Sequence, residues 1–87
     1  MAAARQRIYP AGTWVIYSSQ LGIGVCLFHK RQYAESESTL LAAVAGLEAA
    51  RGASFNRTQD GYRALGDLYS TMGKADDAAR WNAKLSN

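Results

Sequence analysis

The sequence predicts an all-α fold in which four helices form two antiparallel hairpins. Its 87 residues suffice for one small domain, and 48% of them are hydrophobic, which excludes a disordered chain. Apolar residues recur at spacings of three and four, the period of a helix that buries one face. The chain contains one proline, and no two alternating apolar runs are joined by a turn pair, so a β-sheet is not predicted.

The first helix is predicted from about Thr13 to Lys30, after an N-terminal extension of residues 1–12. Thr13 suits the N-cap, because its hydroxyl can accept a hydrogen bond from a free backbone N–H. Two apolar stripes lie side by side on this helix, so it needs cover on several sides. One stripe consists of Trp14, Tyr17, Leu21, Val25 and Phe28, and the other of Ile16, Ile23 and Leu27.

The second helix is predicted from about Tyr33 to Arg51 and ends at Gly52. Glycine adopts the left-handed conformation of a C′ residue without steric penalty. A loop then covers residues 52–56. The face predicted to be buried contains Tyr33, Leu40, Val44 and Leu47.

The third helix is predicted from about Arg57 to Met72, and Asn56 and Gln59 before it have the spacing of a capping box. Its apolar face contains Tyr62, Leu65, Leu68, Tyr69 and Met72. The fourth helix is predicted from about Ala75 to Leu85, with Ala78, Trp81 and Leu85 pointing inward. Since the turns within each helix pair are shorter than the loop between the pairs, the hairpins cover about residues 13–51 and 57–85.

An internal repeat underlies the two hairpins. The second hairpin contains the motif Tyr62-x-x-Leu65-Gly66-x-x-Tyr69, followed by Gly73 and Ala78. A shift of 42 residues aligns Ile23-Gly24-x-x-Leu27 with Leu65-Gly66-x-x-Tyr69, and Ser36 with Ala78. The first copy has Gln20 in place of the leading aromatic residue and Arg31 in place of the turn glycine.

This pattern resembles the tetratricopeptide repeat, and its spacing resembles the longer variant typified by kinesin light chains. Residues 23–85 resemble the C-terminal repeats of bacterial multidomain serine/threonine kinases. The matching residues are Tyr33-Ala34-Glu35-Ser36-Glu37, Leu47, Gly52, Thr58, Leu65, Leu68-Tyr69, Gly73 and Ala78-Ala79. The resemblance implies a short solenoid of two stacked hairpins in a bacterial protein.

The resemblance also implies a concave groove, lined by the first helix of each hairpin, that accepts a peptide or a partner helix. Its first half would be apolar and its second half charged. The groove residues would be Leu21, Val25, Phe28 and His29 from the first hairpin, and Asp60, Arg63, Asp67, Ser70 and Thr71 from the second.

The first apolar stripe predicts self-association as well. Two repeats are fewer than the roughly three that a stable array usually needs, which predicts either self-association or a missing neighbouring repeat. We therefore expect a homodimer in which Trp14, Tyr17, Leu21, Val25 and Phe28 are mutually buried. Alternatively, this stripe belongs to the core and is covered by residues 1–12.

No group of residues predicts catalysis, a cofactor or a metal. Cys26 and His29 lie three residues apart, but the chain has no second cysteine or histidine, so we interpret Cys26 as a buried thiol. Gly73-Lys74 lacks the upstream glycine of a phosphate loop. The acidic pairs Glu35/Glu37 and Asp76/Asp77 are interpreted as solvated charges in the first turns of helices. We therefore expect a non-enzymatic interaction module.

Charge and hydropathy favour a cytoplasmic protein that does not enter a membrane. Residues 8–29 contain no Asp, Glu, Lys or Arg, yet no purely apolar run in them is longer than the one from Trp14 to Tyr17, which is too short for a signal peptide or a membrane helix. The net charge is +3, with 10 Lys and Arg residues scattered along the chain. A small basic helical nucleic-acid-binding domain is the alternative interpretation.

Overall fold

The computed structural model describes residues 13–85, and in this range it contains four helices and no strand. The helices are α1 (Thr13–His29), α2 (Tyr33–Arg51), α3 (Asn56–Thr71) and α4 (Ala75–Asn82). α1 packs on α2, α3 packs on α4, and α2 joins the two pairs by packing on α3. The predicted all-α class and the two hairpins are confirmed, whereas the predicted extension over residues 1–12 lies outside the described range.

Four predicted helix ends differ from the structure, and α1 and α3 each end one residue early, at His29 and Thr71. α3 begins one residue early, so Phe55 and not Asn56 holds the N-cap position, and no side-chain cap forms there. The Phe55 ring packs edge-on against Trp14 at 5.1 Å and lies under the Arg51 guanidinium at 4.7 Å, which fixes this residue at the helix start. α4 ends at Asn82 instead of about Leu85, although Leu85 still packs against the core.

The two hairpins repeat one backbone turn at a spacing of 42 residues. Arg31 and Gly73 occupy equivalent positions and both have positive φ, 65° and 79°. Arg31 N donates to Phe28 O at 2.9 Å, and Gly73 N donates to Ser70 O at 3.1 Å. The sequence shift therefore corresponds to a structural repeat, and the first copy keeps the left-handed turn without glycine, at a cost of about 1 kcal/mol.

Small residues bring the paired helices close together at equivalent points. A Cβ atom on Gly24 would meet Leu40, and one on Gly66 would meet Asn82, again 42 residues further along. Ser36 is fully buried at the first contact and donates its hydroxyl to Gly24 O at 2.7 Å. The absence of a side chain at Gly24 and Gly66 thus allows the two helices of each hairpin to lie close together.

Two buried tyrosines tie α2 to α3 through carboxylates. Tyr62 donates to Glu48, and Tyr69 Oη donates to Glu37 at 2.6 Å. Burial, reinforced by the hydrogen bond to each carboxylate, raises the pKa of Tyr62 and of Tyr69 from 10.0 to about 12. Glu37 is therefore a structural partner of α3 and not the purely solvated charge that the sequence predicts.

The raised tyrosine pKa values predict a loss of stability in alkali. The folded state binds these two phenolic protons more tightly than the unfolded state does, so their contribution is complete below pH 10 and is lost as the pH rises through about 12. Urea unfolding across this range measures the loss. The control is Tyr69→Phe, whose stability should fall less steeply; an equally steep fall would contradict the assignment.

Candidate functional site

A pocket of about 230 Å³ opens between α1 and α3. α2 contributes the fully buried Leu40 to its floor. The lining residues are Val25, Phe28, His29, Leu40, Asp60, Arg63, Ala64 and Asp67. The pocket therefore lies where the first helices of the two hairpins meet.

α1 and α3 are held side by side by contacts near the start of the pocket. Arg57 Nε donates to Ser18 Oγ at 2.7 Å, and Arg57 Nη2 donates to Ser18 O at 3.1 Å. Gly61, one turn after Arg57 on α3, lets α3 approach its neighbours closely. A Cβ atom at this position would lie 2.5 Å from Val44 of α2 and 3.8 Å from Leu21 of α1. These contacts fix the spacing of the two pocket walls.

The floor and walls of the pocket are apolar. Val25, Phe28 and Ala64 are half-buried and pack against the buried core. The Phe28 ring is supported by Tyr33, at a centroid distance of 5.9 Å, and by His29, at 5.4 Å. A ligand in the pocket would therefore meet preformed apolar surface.

The rim of the pocket is charged, and its two carboxylates differ in their partners among the described residues. Asp60 accepts hydrogen bonds from Arg57 Nη1 at 3.0 Å and from Arg63 Nη1 at 3.3 Å. Asp67 is exposed and makes no hydrogen bond or ion pair with any residue in the described range 13–85. The rim thus carries one carboxylate, that of Asp67, which has no partner among the described residues.

Six of the nine residues predicted to bind a partner line this pocket: Val25, Phe28, His29, Asp60, Arg63 and Asp67. Leu40 and Ala64 also line the pocket and were not predicted from the sequence as site residues. Ala64 carries a signal that could have revealed it, because Asp60, Ala64 and Asp67 have the helical spacing of one face. Ser70 and Thr71, also expected in the groove, are exposed at the end of α3 outside the pocket lining.

The other three predicted residues pack within the chain. Leu21 is 1% exposed and belongs to the core, and the Tyr17 ring lies against Gly46 of α2. Trp14 packs on Phe55 and lies 5.8 Å from the Arg51 guanidinium. The prediction that these three residues are available to bind a partner is therefore wrong, because α2, α3 and the loop before α3 already pack against them.

The opposite side of α1 carries the exposed apolar residues. Val15 is 49% exposed, Ile16 68% and Ile23 57%. Cys26 is exposed too, so the prediction of a buried thiol is wrong. Ile16 and Ile23 belong to the second sequence stripe, which neither α2 nor α3 covers.

Within residues 13–85, no group of three His, Cys, Asp or Glu side chains could hold a metal ion. None of the four helices in this range combines the length and the hydropathy that crossing a bilayer requires. Comparison of the chain with protein-family models, with curated proteins and with solved structures finds no match.

Proposed function

We propose that this chain is a non-enzymatic protein-interaction module that binds a peptide or a partner helix between α1 and α3. The observation that carries the proposal is the pocket itself, which combines residues distant in sequence, such as Phe28 and Asp67, into an apolar floor with a charged rim. Sites for peptides and helices typically have this construction, with apolar anchors and a polar edge.

The size of the pocket favours a side chain of a larger ligand over a free small molecule. Its volume of about 230 Å³ is below the roughly 300–1,000 Å³ usual for small-molecule sites. One or two side chains of a bound peptide would fill it, while the peptide backbone followed the channel between the two helices. The tetratricopeptide resemblance is part of this proposal, supported by the 42-residue backbone repeat.

Selection of peptides on the immobilised chain tests this proposal, with Ala64→Trp as the blocking variant. Ala64 is half-buried in the pocket wall, so the indole would fill the pocket and should weaken selected peptides at least about tenfold, a loss of about 1.4 kcal/mol. The control is Ala79→Trp on α4, at an exposed alanine outside the pocket lining. Equal binding to both variants, or recovery of no peptide that binds, would contradict the proposal.

Self-association is a second candidate function, and the exposed side of α1 supports it. Val15, Ile16 and Ile23 form an apolar surface on a helix without acidic or basic side chains other than His29. A dimer formed there would leave the pocket open. Sedimentation equilibrium of the wild type and of Ile16→Glu measures this, and a monomer mass for the wild type at high micromolar concentration would exclude it.

No observation favours the nucleic-acid alternative to the same degree. In the described range, Arg57, Arg63 and Arg80 pair with aspartates, while Arg51 and Lys84 lie over aromatic rings. At these five residues, phosphate binding would have to compete with the contacts already made. The location proposed for the module is the bacterial cytoplasm, and this part of the proposal rests on the sequence alone.

A further inference from the structure

We propose that the pocket selects a basic side chain, lysine or arginine, on the bound peptide. Its aliphatic stem would lie on the apolar floor, and its cation would pair with Asp67 at the rim. This inference rests on the proposed function, because it names the chemistry of the ligand for the same pocket.

The floor alone would accept any long apolar side chain. Among the described residues, the side chains nearest the base are apolar: Val25, Phe28 and Ala64 line it, and the fully buried Leu40 lies beneath them. Lysine and arginine bury their methylene stems on such surfaces while their charged ends stay at the edge. An apolar floor is therefore compatible with a basic ligand.

The rim supplies the preference for a cation. The charged lining residues are Asp60, Arg63 and Asp67, so two carboxylates stand against one guanidinium group, and Arg63 directs its charge to Asp60 at 3.3 Å. Arg57 also pairs with Asp60 but lies outside the lining. Asp67, which lies one helical turn after Arg63, has no partner in the described range. An acidic ligand would meet this unmatched carboxylate, and a neutral ligand would leave it unmatched. A cationic ligand would form an ion pair with Asp67, so a cation is preferred at the rim.

The Phe28 ring adds to this preference. It lines the pocket wall and its face can attract a cation electrostatically when the two come within about 6 Å. The same chain uses this contact elsewhere, since Lys84 Nζ lies 5.6 Å from the Trp81 ring and the Arg51 guanidinium lies 4.7 Å from the Phe55 ring.

Three capped amino acids of similar length test the inference: the N-acetyl N-methylamides of lysine, norleucine and glutamate. Norleucine keeps the stem of lysine and lacks the ammonium. Each probe is titrated into the full-length chain, and the methyl signals of Val25 and Ala64 are followed by NMR. We expect lysine to bind about threefold to fivefold more tightly than norleucine, as one part-exposed ion pair provides, and glutamate to bind most weakly.

Asp67→Asn should abolish the advantage of lysine over norleucine. The matched control is Asp76→Asn, an exposed aspartate on α4 outside the pocket, which should preserve the advantage. Persistence of the advantage in Asp67→Asn would overturn the role of this carboxylate. Added salt should weaken lysine selectively.

The remaining outcomes separate this inference from the proposed function. If norleucine or glutamate binds as tightly as lysine, the basic preference is wrong while the pocket remains a peptide site. If no probe shifts either methyl signal, the pocket does not select single side chains and this inference fails, whereas the proposed function is decided separately by the peptide selection with Ala64→Trp. Tighter lysine binding by the full-length Arg5→Gln/Arg7→Gln variant would assign the pocket to the chain's own N-terminal residues and overturn a partner as its occupant.

Discussion

Leu21→Ala is expected to lower the free energy of unfolding by about 3 kcal/mol, within the range measured for buried leucines. Leu21 is 1% exposed and packs in the core next to Gly61 of α3, so truncating its side chain leaves a cavity. The helices cannot readily move together to fill this cavity, because they are already in close contact at Gly24 and Gly61. The expected loss is a large part of the stability of a domain this small.

Ile16→Ala is the matched control on the same helix. Ile16 is 68% exposed, so little buried area is lost, and alanine is the better helix former; the expected change is within about 0.5 kcal/mol. Urea unfolding of both variants, followed by far-ultraviolet circular dichroism, compares them. Similar losses would mean that both stripes of α1 are buried, and a larger loss for Ile16→Ala would reverse the assigned orientation of the helix.

Gly24→Ala is expected to destabilise the chain by about 2 kcal/mol, although alanine favours helices by about 1 kcal/mol over glycine. The new Cβ atom would lie 2.6 Å from Leu40 Cδ2, and Leu40 is fully buried and cannot move aside without displacing the core. α1 and α2 would have to separate, and the hydrogen bond from Ser36 to Gly24 O would lengthen.

Gly22→Ala provides the internal comparison for this prediction. A Cβ atom on Gly22 would meet no atom within 4 Å, so only the helix preference of alanine acts, and the variant should gain about 1 kcal/mol. Thermal and urea unfolding of the two variants should therefore differ in sign. A stabilised Gly24→Ala variant would contradict the close contact between α1 and α2.

The helix order, the turn glycines and most helix ends could be predicted from the sequence because they depend on local patterns. The predicted bounds of α2, Tyr33–Arg51, agree with the structure. Arg31 shows the limit of such reasoning: its side chain disfavours positive φ, yet the turn has the same form as at Gly73. The surrounding hairpin, and not the local residue, determines that conformation.

The orientation of α1 could not be predicted from hydropathy, since both of its sides are apolar. Contacts between distant residues decide it: Gly24 admits Leu40, and Gly46 admits the Tyr17 ring. The role of Glu37 could not be predicted either, because its hydrogen-bond partner, Tyr69, lies 32 residues away in the sequence. In the pocket, the contributing helices were expected from the family resemblance, whereas the Leu40 floor depends on how α2 packs beneath them.

Binding in the pocket is tested most directly by an NMR titration of the ¹⁵N- and ¹³C-labelled 87-residue chain with a selected peptide. We expect the signals of Val25, Phe28, Ala64 and Asp67 to shift together with one affinity, and those of Val15, Ile16 and Ile23 to stay unchanged. Shifts confined to Val15, Ile16 and Ile23 would contradict this expectation, because the binding surface would then be the outward side of α1 and not the pocket between α1 and α3.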